Sequence, residues 1–131
     1  MNKKAEKIGP RETLINYLEA WKATNWAQMA QYLQLSWAEQ MALNQVPVIE
    51  ALQVIYQNRL IEYEFIAGSD LNNVVYAAHI RIKIGIARNV TQTMDVLGRV
   101  ICEEAPLLPS PEGQWGVNPN SLTYEAKDLK P

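Results

Sequence analysis

His79 is the only histidine of this 131-residue chain and so its only imidazole fit for general-base work, with Asp95 the carboxylate able to orient it across a hairpin. A general base must reach an enclosed proton. His79 sits in VVYAAHIRIKIGI, residues 74–86, where Val74, Tyr76, Ala78, Ile80, Ile82, Ile84 and Ile86 alternate with His79, Arg81 and Lys83. That period of two marks a half-buried strand and turns His79 away from the apolar interior, so a surface or interface role fits it better than catalysis. Cys102, the single cysteine, shares the apolar parity of a later strand and reads as a small core hydrophobe. On the face opposite His79 it forms no nucleophilic Cys-His pair, and one cysteine with one histidine builds no zinc site. The glycines of SPEG and GQWG match no phosphate-cradling loop. Neither metal nor cofactor is expected.

The totals narrow the partners. Twelve basic and fourteen acidic side chains give a formal charge of −2, scattered in ones and twos. The basic stripe Arg81, Lys83 and Arg88 is interleaved with acids and lacks aromatics, so it reads as a solvated edge, not a nucleic-acid surface. No disulfide is possible within the chain, which makes a cytoplasmic setting the expectation. MNKKAEKIGPRE lacks the apolar run of a signal peptide, and no stretch approaches the roughly 20 apolar residues of a membrane span. No membrane partner is expected.

These residues need elements to position them. Pro10 suits a first helical turn, and Leu14, Leu18 and Trp21 recur with Tyr17 beside them, which predicts a helix over 11–23. Asn25 can cap a second helix with Gln28 at N3 and an apolar stripe of Trp26, Met29, Leu33 and Trp37. Pro47 opens a third, in which Ile49, Leu52 and Tyr56 share one face, widened by Val48 and Ile55, ending near Asn58. The period then falls to two: Ile61, Tyr63 and Phe65 alternate with Glu62 and Glu64 before the turn-rich GSDLNN, 68–73. After strand 74–86 comes a strand over 91–105, with Met94, Val96, Val100 and Cys102 opposite Thr93, Asp95, Arg99 and Glu103. The three prolines of 106–113 mark a loop before a short strand at 114–118.

Three helices and then strands imply an α+β domain over 10–122, with the helices on one face of a curved, mainly antiparallel sheet of about four to six strands. Residues 1–9 read as a flexible start and 123–131 as a polar tail. Gly98, on the apolar face of a long strand, suggests a bend. With even positions inward on both long strands, a three-residue loop at Ala87, Arg88 and Asn89 pairs Ile86 with Val90, Ile82 with Met94, Arg81 with Asp95, Ala78 with Gly98 and His79 with Leu97.

The opening YLEAWKATNWAQMAQYL, the hairpin 74–105 and the closing GQWGVNPNSL resemble the nuclear transport factor 2-like superfamily, a cone-shaped, cystatin-like α+β fold. It includes ketosteroid isomerases, scytalone dehydratases and polyketide-cyclase-like proteins. The short turn from Trp21 to Trp26 matches the family's first helical junction. The resemblance places Tyr17, in NYLEAW, where the isomerases hold a tyrosine that donates to a developing enolate. Their base is an aspartate just after the second helix. Here no Asp precedes Asp70, and the matching SWAEQMALN offers only Glu39, with inward-parity Glu104 as a second candidate. The plainer reading of Tyr17 is a packed ring with its hydroxyl on a nearby acceptor.

Ala78 opposite Gly98 leaves room in the interior, so a cavity is expected to be deepest there, walled by Tyr17, Trp21, Tyr56, Tyr63, Tyr76 and Met94. Helix side chains filling that gap are the alternative. On the outer face His79, Leu97 and Ile101 form a row, which Trp115 and Val117 or their neighbours extend. Contiguous apolar rows mark association surfaces, and family members often pair through this face, so a two-fold homodimer is expected. The sequence thus leads to a dimeric domain binding a small apolar molecule. The alternatives are an isomerase, dehydratase or cyclase acting on an apolar ring compound, or an interaction module with a vestigial cavity.

Overall fold

The computed structural model of the protein describes residues 8–104, 113–123 and 125. The expected tails and proline loop therefore lie largely outside the described residues. Helix α1 (Pro10–Lys22) starts on Pro10, carries Glu12 in its first turn and Lys22 in its last, and so complements its own dipole at both ends. It ends in a Schellman motif: Asn25 N–H donates to Ala20 O at 2.8 Å and Thr24 N–H to Trp21 O at 2.9 Å, with Thr24 left-handed at φ 52°. Asn25 then serves the next helix, α2 (Trp26–Ala30), accepting from Gln28 N–H at 3.1 Å as its spacing predicts.

The second predicted helix is in fact two. After α2 the chain leaves the helix and re-enters it as α3 (Leu35–Leu43), followed by α4 (Val48–Ile55). The break has a cause at the far end of the sequence. Strand β4 (Gln114–Val117) binds the intervening segment, with Val117 N–H donating to Tyr32 O at 2.7 Å and Gln34 N–H to Val117 O at 2.9 Å. A Cβ on Gly116 would strike the Leu33 carbonyl and lie 2.5 Å from Gln34 Cα, so only glycine admits this approach. The apolar stripe could not reveal it, because Met29 and Leu33 are buried either way.

The sheet is antiparallel, in the order β1 (Arg59–Asp70), β2 (Val75–Ala87), β3 (Val90–Glu103) and β4. These are all its strands among the described residues, so the architecture is α+β with four α-helices and a four-stranded sheet. The central register is the predicted one: Ile82 faces Met94, Arg81 faces Asp95, His79 faces Leu97 and Ala78 faces Gly98. Its turn differs. Ala87 pairs with Val90 around Arg88 and a left-handed Asn89, φ 61°, and Ile86 becomes a bulge that is 45% exposed instead of an inward partner of Val90.

Strand β1 runs on through Asp70, beyond the predicted turn onset at residue 68. It crosses two register shifts, between Leu60 and Glu62 and between Phe65 and Ala67. Each adds a residue and reverses parity, so Leu60 faces Ile84, Tyr63 faces Ile82 and Gly68 faces Ala78. Bulges of this kind bend a strand and sharpen its twist. Helix α1 lies against all four strands, bringing Leu14, Tyr17, Leu18 and Trp21 into one core with Ile80, Ile82, Val96 and Val100. Val100 pairs with Val117 and Cys102 with Trp115, which settles the parity of β4. Trp115 and Val117 face inward, and Gln114 and Gly116 take the outer side.

Candidate functional site

The core holds a closed chain of phenols. Tyr17, from the middle of α1, donates to the Tyr56 hydroxyl at 2.9 Å, and Tyr56 at the end of α4 donates to the Pro119 carbonyl. Pro119 opens a 3-10 turn, Pro119–Leu122, just after β4. Trp21 packs on Tyr56 with ring centroids 4.6 Å apart, and its indole N–H donates to Asn58 O at 3.2 Å. Burial pushes the Tyr17 phenol well above its ordinary range, and the adjoining Tyr56 adds to this. Burial likewise raises Tyr56, against the opposing effect of the Tyr17 hydrogen bond. Both phenols stay protonated, and each donates to a fixed partner.

Beside this chain is a recess of about 90 Å³, lined by Trp21, Ile55, Tyr56, Asn58, Ile82, Ile84, Met94, Leu122 and Thr123. Of the expected cavity residues, the structure brings Trp21, Tyr56 and Met94 together here. It sets the others elsewhere. The space across Ala78 and Gly98 is filled: a Cβ on Gly98 would lie 3.0 Å from Leu122 and 3.4 Å from Leu14. Close packing has taken up the room left by two small residues. Tyr17 is wholly buried in the phenol chain. The Tyr63 hydroxyl donates to Glu19 at 2.5 Å on the surface, and partial burial together with that carboxylate pushes its phenol up to about 12. The Tyr76 ring lies over Gly68, in space that a side chain there would occupy.

A second, larger hollow runs between α3 and α4. It measures about 410 Å³ and is lined by Trp37, Met41, Val46, Glu50, Ala51, Val54, Ile55 and Asn120. Ile55 is common to both hollows. Strand parity does not reveal this groove, because its walls come from two short helices that the sequence pattern does not place side by side. Its signal was present in the apolar excess of VPVIEALQVI, of which only Leu52 is fully buried.

The carboxylates stand apart from the phenols. Glu39 is exposed on α3, and Glu104 is exposed just beyond β3. Glu103, passed over in the sequence, is the carboxylate with a structural task. It accepts from Ser36 N–H at 2.8 Å, Ser36 Oγ at 2.6 Å and Gln34 Nε2 at 3.1 Å, and so caps the start of α3 from another strand. Burial alone would raise its carboxyl, but these bonds, with backbone donors at Ser36 and Leu35, hold it below the ordinary range.

On the outer face Asp95 takes a 2.8 Å bond from Arg81 Nε, and His79 Nε2 lies 3.5 Å from its other oxygen. The Arg81 bond holds the Asp95 carboxyl below its ordinary range. His79 therefore shares its carboxylate with a permanent cation in a surface ion cluster that also includes Glu64. Leu97 and Ile101 are half-buried on the same parity. Among the described residues no group of three His, Cys, Asp or Glu could hold a metal ion, and no helix is long and apolar enough to cross a membrane. No family model, no curated protein and no solved structure matches this chain.

Proposed function

We propose that the chain is a member of the nuclear transport factor 2-like superfamily, with its bulged sheet curved into a cone, that binds a small apolar ligand without chemically altering it. In this reading it works in the cytoplasm and pairs with a second copy through the outer face at His79, Leu97 and Ile101. The observation that carries the reading is the recess beside Tyr56: apolar walls from Trp21, Ile82, Ile84 and Met94, with the polar groups of Asn58 and Thr123 available to orient a guest. An isomerase-like role is less well supported. The Tyr17 and Tyr56 hydroxyls donate to Tyr56 and Pro119, and Glu39 and Glu104 are exposed side chains that do not line the recess.

At about 90 Å³ the recess is well short of the ~300 Å³ at which ordinary ligand pockets begin, so it admits a single small ring or enlarges as it fills. Indole titration, followed at the Met94 methyl by NMR, tests the proposal. A saturable shift at Met94, together with an apolar mass retained in native mass spectrometry of protein purified from cells, is the expected result. A Met94 signal that stays fixed up to the solubility limit of indole, with no retained mass, overturns it.

A further inference from the structure

We infer that the α3–α4 groove is a binding site for an apolar molecule carrying a cationic group, with Glu50 as its counter-ion. This deepens the ligand-binding reading and rests on it. Three observations converge. At about 410 Å³ the groove is within the range of small-molecule sites, which begin at roughly 300 Å³, whereas the inner recess is not. Its walls are the apolar Trp37, Met41, Val46, Ala51, Val54 and Ile55, and its polar groups are few, the Glu50 carboxylate and Asn120. That is the composition of an open groove that seats a hydrophobic body and orients it by one charge.

The third observation is in the sequence. All twelve Lys and Arg side chains lie outside residues 23–58, the stretch that forms α2, α3 and α4. Its only charged residues are Glu39 and Glu50. The groove therefore presents apolar surface with the Glu50 carboxylate and no basic side chain from its own helices, a balance that favours a cation. Val54 on the groove wall is 67% exposed and Leu43, which ends α3, is 78% exposed, so apolar surface extends past the walls. Ile55 is the wall shared with the inner recess, so a guest in the groove lies one side chain from that recess.

Three probes of one shape test this: 1-naphthylmethylamine (cationic), 1-naphthylmethanol (neutral) and 1-naphthoate (anionic). The Met41 methyl reports on the groove and the Met94 methyl on the recess. The expected result is saturable movement of Met41 by the amine, about threefold to fivefold tighter than by the alcohol and tighter still than by the naphthoate, as an exposed carboxylate warrants. Glu50→Gln is an exposed substitution that leaves the apolar walls intact, and it brings the amine down to the affinity of the alcohol. Equal affinities for the three probes, or a preference that survives Glu50→Gln, overturn the inference. If no probe moves Met41 the inference falls whatever happens at Met94, and the recess reading stands or falls separately on the indole titration. Movement of Met41 with protein concentration alone, without any probe, makes the groove a contact between copies and also overturns it.

Discussion

Replacing Tyr56 by Phe removes two hydrogen bonds at once, whereas replacing Tyr17 removes one. Tyr56→Phe strands the Tyr17 hydroxyl and the Pro119 carbonyl in the core, and is expected to cost about 2 kcal/mol. Tyr17→Phe leaves Tyr56 bonded to Pro119 and is expected to cost about 1 kcal/mol, the order being checked by urea unfolding. The two phenols also set an alkaline limit. Burial raises their folded values, so above about pH 10 the unfolded chain loses these protons first and stability declines as pH rises. A Tyr17→Phe/Tyr56→Phe double variant should show a shallower decline. The position of Tyr17 could be read from helical spacing, but its partner could not, since Tyr56 and Pro119 are 39 and 102 residues further on and nothing local to Tyr17 announces them.

At the scale of elements, two helices end with a residue poorly suited to its place. Thr24 after α1 and Gln45 after α3 are both left-handed, at φ 52° and 58°, in Schellman motifs that ordinarily carry glycine. Thr24→Gly and Gln45→Gly should each stabilise the protein by about 0.5–1 kcal/mol, read as a rise in the thermal midpoint. Glu103 makes the opposite case. Its folded value is depressed below the ordinary 4.5, so its contribution is complete above about 4.5 and is lost as pH falls from there through the lower folded value. Glu103→Gln should lose roughly 1 kcal/mol at pH 7, a typical capping contribution, with the difference from the parent narrowing in acid. Parity made the β2–β3 register legible, because one buried face fixes every pairing from Ile80 inward. It could not foresee the breaks at Gln31–Gln34, Ile61 and Ile66, where hydrogen bonds to distant segments or an extra residue override the local period.

Taken whole, the molecule pairs a legible architecture with a displaced site. The apolar faces of α1 and the hairpin are enough to assemble helices on a sheet, but whether two small residues leave a hole depends on what arrives from elsewhere. Leu14 and Leu122 arrive at Gly98, and the open volume moves to the α4 side. The proposed dimer belongs to this scale as well. Leu97→Asp, on a half-buried outer position, should convert a dimer to a monomer in light scattering at tens of micromolar, a concentration at which a stable interface of standard size persists. A parent protein already monomeric there contradicts the pairing. The segment Tyr32–Gln34, bound along β4, has a further consequence for how the chain behaves in a crowd. That strand's free side is already occupied, and β1 at the opposite border is kinked twice and carries Arg59, Glu62, Glu64 and Asp70. Among the described residues the row of idle amides that remains is on β3, from Thr91 to Leu97, past the end of β4, so templating by another strand would have to begin there.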